Sequence, residues 1–442
     1  MIPSQVVELL QDQVMVGDDK PAHTVNITHN GTTRELGHIL SIDVQKSQTQ
    51  GGKVVIVADN RGARYSPDNS ASDWHEHIWL NAVVEVDQGY GTNQARTFMG
   101  LIDDVDMENF PATITITARD MWKQALDQTI TDTEGERVVP FVDEPAEDIF
   151  RQLAIWAGWD DGDITTEETG VTIEEVTFDH ESYANGMEWL SEITGFEIAV
   201  GDDGTLAFRY ATDRQPEEVD DDVVLTGTDW AELAHSPIVR YSERVHSAPG
   251  GGGTEYTLDV DYEIDLSGGR IRRLTGGSIG SGSTVYVTYV YAAWVFTEGQ
   301  DLIQIGYRLS DDDIYRRALV HTEGDDGETL EGEGVYLGRD YYNVLPHKVL
   351  RVPPGDMTHA TQEMVDEIAA RMAVKMQTKP RIVRWAAPAN PWIRVGDCVQ
   401  VIETSSTISE IYRITDISFS RSVQGFFMEI AGHYYGYAPL EV

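Results

Sequence analysis

His75-Glu76-His77 has the residue types of a metal chelate. On a strand the two imidazoles would share a face, yet no third ligand stands at chelating spacing, so no metal site is assigned there. Asp160-Asp161-Gly162-Asp163 resembles the start of a calcium loop. The rest of the EF-hand spacing, including its closing Glu, is missing, and a solvated turn accounts for the run. Gly276-Gly277-Ser278-Ile279-Gly280 matches the G-x-S-x-G pattern of a nucleophile elbow. That motif needs a helix directly after it, whereas Gly and Ser lead here into a strand-like run. Gly277, Gly280 and Gly282 lack the βαβ context of a phosphate cradle. Cys398, the sole cysteine, lies in the strand-like Val395 to Val401, where a small buried hydrophobe is the default. With 75 Asp and Glu in the chain, paired carboxylates at any spacing carry no weight for acid–base work. The expectation is a non-enzyme with no catalytic, cofactor-binding or metal residues.

Composition narrows the setting. The 442 residues are enough for about three domains, and 41% hydrophobic content is enough for ordinary cores. The formal charge of -43 is spread along the chain. Lysine occurs only at Lys20, Lys46, Lys53, Lys123, Lys348, Lys375 and Lys379. Dispersed acid with little lysine fits a protein working in concentrated salt, where the Debye length falls to about 3 Å and self-repulsion is screened. Specific nucleic-acid binding is not expected, because phosphate recognition needs a Lys/Arg patch. The first residues, Met1 to Val16, lack a basic region followed by an apolar core, and no apolar run reaches the roughly 18 residues of a membrane span.

The elements that organise the chain are two hairpins. Phe98, Gly100 and Ile102 alternate, as do Ile114 and Ile116, with a turn at Asn109 to Pro111 and a short helical run after Asp120. Near the other end Tyr412, Ile414, Ile417 and Phe419 lead through a turn at Ser422 to Gly425 into Phe427, Glu429 and Ile430. Upstream, Trp79 with Val84 and Val86 is echoed by Trp392 with Val399 and Val401. This reads as one small antiparallel β module present twice.

The fold class expected is mainly β with an α+β insertion: two antiparallel β-barrel modules, a small α+β domain and a β-rich inserted domain. The N-terminal module spans 1–128, opening with a short helix capped by Ser4 and a hairpin turn at Asn30-Gly31. Residues 129–215 form the α+β insertion, with apolar stripes through Ile149, Phe150 and Leu153 and through Met187, Leu190 and Ile193. Residues 216–350 form a β-rich middle region, entered through an acidic linker at Pro216 to Asp222 and holding a sandwich-like segment at about 245–305. There the run from Thr284 to Phe296 reads as a strand. Residues 351–442 comprise a helix from about Thr358 to Met376 and the C-terminal β module.

This order of parts resembles the tail hub, or baseplate hub, proteins of tailed viruses, the late-control-protein and cell-puncturing-hub group. Four stretches carry the resemblance: Phe98 to Ile102 with the strand and helix after it; the insertion with its hairpin Gly201-Asp202-Asp203-Gly204; Ser310 to Val320; and the helix from Thr358 with Pro391 to Val401 and the closing hairpin. Residues from about 245 to 305 depart from the pattern, and no lysozyme-like segment accompanies it. The resemblance implies a structural virion protein at the tail tip, made in the host cytoplasm. It implies a homotrimeric ring whose two modules per chain give pseudo-sixfold symmetry. That ring would join the tail tube protein to tip, fibre or tape-measure proteins around the genome-release channel, with no cofactor. The salt-adapted composition points to a haloarchaeal virus. The alternative is a glycan-binding or glycan-cleaving β protein, for which Tyr286, Tyr289, Tyr291 and Trp294 would supply exposed aromatics. A cell-surface β protein is disfavoured by the lack of a signal peptide.

Overall fold

The computed structural model describes residues 20–47, 51–109, 112–131, 138–210, 218–236, 238, 243–265, 268–291, 294–309, 315–323, 328–335, 349–352, 362–377, 381–403, 408–422 and 425–434. The expected helix after Ser4 and the segment from Ser310 to Ile314 lie outside them. β1 (Pro21–His29) and β2 (Thr32–Glu35) flank Asn30 and Gly31, whose φ of 49° and 73° suit a tight hairpin turn. β3 (Ile39–Ser47) and β4 (Gly51–Asp59) make a second hairpin. After an excursion come β5 (Val83–Tyr90), β6 (Asn93–Asn109) and β7 (Ala112–Asp120). The period of two predicted for β6 and β7 is present: Phe98, Ile102, Ile114 and Ile116 face the core. Asp120 then accepts the Trp122 N–H at 3.1 Å and starts α1 (Trp122–Leu126). Burial pushes the Asp120 carboxyl up to about 6, against the N–H groups of Gly52 and Trp122 that favour its charge.

The α+β part follows as β8 (Val138–Pro145), α2 (Ala146–Ala157), β9 (Ile164–Thr166), β10 (Thr172–Asp179), α3 (Tyr183–Thr194), β11 (Phe196–Val200) and β12 (Leu206–Tyr210). The stripes read from sequence are buried. Ile149, Phe150 and Leu153 of α2 meet Met187, Leu190 and Ile193 of α3 in one core, with Phe150 stacked on Phe208 at 4.3 Å. Ser182 caps α3 by accepting the Asn185 N–H, and Gly195 ends it with φ 74°.

Next, β13 (Glu218–Leu225), β14 (Ala231–Glu232), β15 (Arg244–Ala248), β16 (Gly252–Tyr256), β17 (Tyr262–Asp265), β18 (Arg270–Arg273) and β19 (Ser283–Val290) build two sheets, ordered β13-β19-β15-β16 and β14-β18-β17. They share a core that includes Leu225, Val245, Ile271, Val287 and Tyr289. The run from Thr284 to Phe296 is not one strand. It contributes β19 to this core, while β20 (Trp294–Thr297) packs in the core of the large sheet.

β21 (Gln304–Leu309), β22 (Arg317–Glu323), β23 (Thr329–Val335), β24 (Val349–Val352), α4 (Gln362–Gln377), β25 (Arg381–Pro388), β26 (Cys398–Glu403), β27 (Ile408–Ser422) and β28 (Gly425–Tyr434) complete the described chain. Although α4 adjoins the C-terminal module in sequence, its Val365, Ile368, Ala369 and Met372 are buried with the α+β core, beside Ala318 and Val320 of β22. Arg371 reinforces this, donating to the Thr169 carbonyl at 3.0 Å with its guanidinium over Phe196.

The duplicated module takes physical form in one thirteen-stranded sheet. Its N-terminal half runs β2-β1-β5-β6-β7-β4-β3; its C-terminal half runs β20-β26-β27-β28-β25-β21. Strand for strand, β1-β5-β6-β7-β4-β3 matches β20-β26-β27-β28-β25-β21. The long third strand carries a bulge at the same place in each, between Ile102 and Asp104 and between Ile414 and Asp416. The halves differ at one end, where β1 is antiparallel to β5 but β20 is parallel to β26. They join edge to edge, β3 pairing with β27 from Ile42 opposite Arg421 to Ser47 opposite Asp416. In β28 the core face is Phe426, Met428 and Ile430, so Phe427, read from sequence as part of the alternating apolar set, points outward at 43% exposure.

α4 lies directly on β23, and glycine permits it. A Cβ on Gly334 would sit 1.8 Å from the Ala369 carbonyl oxygen, and one on Gly332 2.3 Å from that of Val365. Gly334→Ala is expected to lower stability by about 3 kcal/mol. Gly306→Ala, where a Cβ meets nothing within 4 Å, should stay within about 0.5 kcal/mol of wild type. Denaturant midpoints in high salt measure both.

Candidate functional site

The residues singled out for chemistry do not converge. His75-Glu76-His77 sits on a turn rather than a strand, and Glu76 has φ 57°. The two rings bond to different backbone carbonyls, His75 to that of Pro67 at 2.7 Å and the buried His77 to that of Ile27 at 2.9 Å. His77 also packs edge-on against Trp74, at 5.3 Å between ring centres. His77 fastens the excursion between β4 and β5 onto β1, while His75 holds that excursion to itself. Among the described residues no group of three or more His, Cys, Asp or Glu is arranged to hold a metal.

Asp161 and Asp163 form a single helical turn, and Asp161 takes the Arg151 guanidinium at 2.7 Å. The Gly276 to Gly280 turn folds onto Asp261, whose carboxylate accepts the Ser278 N–H at 2.6 Å and the Thr257 N–H at 2.9 Å. Those two N–H groups hold the Asp261 carboxyl below its usual range. The chain then enters β19, not a helix, so the nucleophile-elbow reading has no support. Cys398 is buried, and burial pushes its thiol up to about 12, far from a reactive thiolate. The aromatic run does not form an exposed platform. Tyr289 is fully buried and donates to Asp221 at 2.6 Å, Trp294 is buried in the large sheet's core, and Tyr291 stacks on His235 at 4.1 Å. Among the described residues no helix is long and apolar enough to cross a membrane.

What the fold does assemble is a charged junction. Lys46 projects from β3, only 10% exposed, and its ammonium meets Asp202 at 2.6 Å. Asp202 stands on the Gly201 to Gly204 turn between β11 and β12, read from sequence as a hairpin turn and nothing more. Its carboxylate also meets Arg394 at 2.8 Å, on the loop before β26. The turn is held in shape by Gly201 N–H to the Thr205 carbonyl at 2.8 Å and by φ 85° at Gly204. The Trp159 indole donates to the Gly204 carbonyl at 3.0 Å, and a Cβ on Gly204 would touch Met99 and Met121 at 3.0 and 3.2 Å. The N-terminal module, the α+β part and the C-terminal module thus meet at one carboxylate. Lys46 further lies over Phe419 of β27, 5.3 Å from the ring centre. Burial is the largest influence on Lys46 and lowers its pKa to about 8, with Asp202 opposing and Arg394 reinforcing. Lysine scarcity alone did not mark Lys46; nothing local in its sequence announces a partner in a turn 156 residues away.

Removing the shared carboxylate takes the contact partner from the buried Lys46 ammonium, while the part-exposed Arg394 keeps the Pro391 carbonyl and solvent, so Asp202→Ala is expected to cost about 3 kcal/mol. Lys46→Met leaves Asp202 with Arg394 and should cost far less. The pH dependence has a definite sign. Below pH 8 both folded and unfolded chains carry the Lys46 proton, and the buried ammonium is a net cost. Between about 8 and the ordinary 10.5 the folded chain sheds the proton first, so stability rises with pH. Denaturation of wild type against Lys46→Met across pH 7 to 11 measures the difference, which should vanish if Lys46 is freely solvated.

No protein-family model and no curated protein sequence matches the chain. Solved structures do match. The 43 kDa tail protein of prophage MuSo2 from Shewanella oneidensis aligns over 93% of this chain and 96% of its own, at 13% identity and a TM-score of 0.51. A tail protein from Neisseria meningitidis MC58 aligns over 93% and 96%, at 10% identity and a TM-score of 0.52. At such identities the likeness is one of architecture, and it runs through nearly the whole of each chain: this chain has the fold of those tail proteins.

Proposed function

We propose that the chain is a structural virion protein forming the trimeric hub at the tip of a viral tail, joining the tail tube to tip or fibre proteins and surrounding the genome-release channel. The observation that carries this reading is the repeated strand order within one sheet, on a fold shared with tail proteins. A subunit with two similar modules lets three chains present six similar positions, which is what a threefold part needs under a six-subunit tube. No residue is assigned a catalytic role: Cys398 is buried, and the turn that carries Ser278 leads into a strand, not the helix that a nucleophile elbow needs. The formal charge of -43 supports two further parts of the proposal. An acidic inner wall would repel DNA phosphates and let the genome slide past, and a salt-loving archaeal host would screen the chain's self-repulsion. A glycan-binding role is disfavoured by the burial of Tyr289 and Trp294.

Light scattering after size exclusion in roughly 3 M salt tests the hub directly. The expected particle has three times the 49.2 kDa chain mass. It should lose tertiary structure on transfer to dilute buffer. A chain that stays monomeric at every salt concentration, or folds equally well without salt, contradicts the corresponding part of the proposal.

A further inference from the structure

We propose that the end of the large sheet where β1 and β5 of the first module meet β27 of the second binds a monovalent anion, chloride, held by Arg421, His23 and Gln88. The site lies within one chain and stands apart from the ring reading above. On β27 the core face carries Ile417, Phe419 and Arg421 in alternation, and the first two are buried. Arg421 therefore brings a guanidinium to the core side, half-buried, and its neighbours on the flanking strands are Ile42 of β3 and Phe426 of β28. Both are buried and neither carries charge. On the first module the same alternation puts His23 with Val25 and Ile27 on β1, and Gln88 with Val84 and Val86 on β5. His23 stands directly opposite Gln88.

The two modules touch at this end. Tyr90, next but one after Gln88, packs on Phe426 at 5.8 Å between ring centres and donates to the Ala389 carbonyl at 3.0 Å. His23 is near enough to Arg421 to feel its charge: burial first, and the guanidinium second, lower the His23 pKa to about 4, and burial lowers that of Arg421. Three buried nitrogens here have no hydrogen-bond partner, Arg421 Nε, His23 Nδ1 and Gln88 Nε2. The Gln88 Oε1 is taken by the Thr97 hydroxyl at 3.0 Å, which leaves the amide nitrogen as the unused end. A neutral imidazole can carry its proton on Nδ1, so all three nitrogens are available as donors.

A buried donor without an acceptor is costly, and a desolvated cation without a counter-charge costs more. Elsewhere this acid-rich chain gives its inward cations carboxylates: Lys46 has Asp202, Arg96 has Glu85 and Asp87, and Arg413 has Glu197. Among the described residues no carboxylate pairs with Arg421, although the chain holds 75 acids. Asp43, the acid beside Ile42, bonds instead to the Ser420 hydroxyl on the opposite face of the sheet. A set made of donors alone, with one full positive charge, is balanced by one negative charge. A phosphate group brings more charge and more acceptor oxygens than these donors match. Chloride matches the charge and accepts hydrogen bonds from any direction, and the concentrated salt indicated by the composition supplies it. Bound there, it ties β1 and β5 to β27, a second link between the modules beside the β3–β27 seam.

Denaturant unfolding of the full-length chain in roughly 3 M potassium salt, with chloride exchanged stepwise for strongly hydrated fluoride, tests the site. Ionic strength stays fixed, so screening does not change, while a ligand that binds only the folded chain raises stability with its concentration. The wild-type midpoint should climb with chloride more steeply than that of Arg421→Gln, and Arg61→Gln, at an exposed arginine elsewhere, should follow wild type. In fluoride alone the order should reverse, with Arg421→Gln the more stable, because it removes a desolvated charge that has no counter-ion. The chloride NMR line reads binding directly. Folded wild type should broaden it and added bromide should narrow it again, whereas Arg421→Gln should weaken chloride binding about tenfold, the loss of one charged hydrogen bond. If Arg421→Gln does not fold, Arg421→Lys, which keeps the charge and lacks Nε, should show a reduced slope in its place. Equal slopes for wild type and the Arg421 variant, with equal chloride line widths, overturn the site.

Discussion

Strand β3 has partners from opposite ends of the chain, β4 on one edge and β27 on the other. Most of the architecture depends on that second pairing. Until β27 arrives, Ile42 and Val44 have no cover on that side, the two modules are separate sheets, and Lys46 has no aromatic face beneath it. When it arrives, one core runs through both modules, with Phe419 and Tyr412 among its largest buried side chains. The seam is reinforced by side chains, the Ser420 hydroxyl bonding to Asp43 and Tyr90 donating to the Ala389 carbonyl at 3.0 Å. Pairings this far apart in sequence close late and slowly, because the loop entropy is lost before the contacts form.

The seam imposes the junction. Lys46 belongs to the half-buried strand that must lie against β27, so its ammonium cannot be left in a low-dielectric site without a counter-charge. Asp202 supplies it from the tip of a tight turn, where few backbone freedoms remain, and Arg394 balances the same carboxylate from the C-terminal side. The α+β part is thereby fixed to both β modules through one residue. The other scarce cations are used in a similar way: Arg96 joins Glu85 and Asp87, and Arg119 bridges Asp103, the bulge residue of β6, to Asp127. Concentrated salt weakens exposed pairs of this kind, whereas the buried junction is screened much less. A chain with 75 acids can therefore lose its self-repulsion to salt and keep its central clamp.

The two modules share a strand order and a bulge position and differ at their ends. The matching strand order and the matching bulges are the common part. The distinct ends are antiparallel β1 on one side, which runs on into the hairpin with β2, and parallel β20 on the other, which the chain reaches from the sandwich of β13 to β19. Between the copies the chain leaves the large sheet to build two further cores, and α4 rejoins the first of these rather than the module it precedes. Its apolar face, Val365, Ile368 and Met372, fits β23 only because glycines leave room for the helix backbone.

Local pattern was enough for the elements whose causes are local. Period-two alternation found β6 and β7, Asn30-Gly31 found the first hairpin, and helical spacing found the stripes of α2 and α3, because each depends on residues within one turn or one strand of each other. The echo of Val84-Val86 in Val399-Val401 revealed the repeated module for the same reason. Composition indicated the charge regime, since charge is a sum over residues and needs no coordinates. Edges, faces shared between distant segments, and burial of single groups were decided only by tertiary structure. Phe427 faces out and Phe426 in because the register of β28 is set by β25 and β27, not by its own residues. Tyr289 and Trp294 look exposed in sequence, yet two separate cores bury them. Lys46 and Asp202 are unremarkable letters until pairing of β3 with β27 brings a turn from the middle of the chain against a strand from its start. Electrostatic cost depends on who else is near, and that is a property of the fold alone.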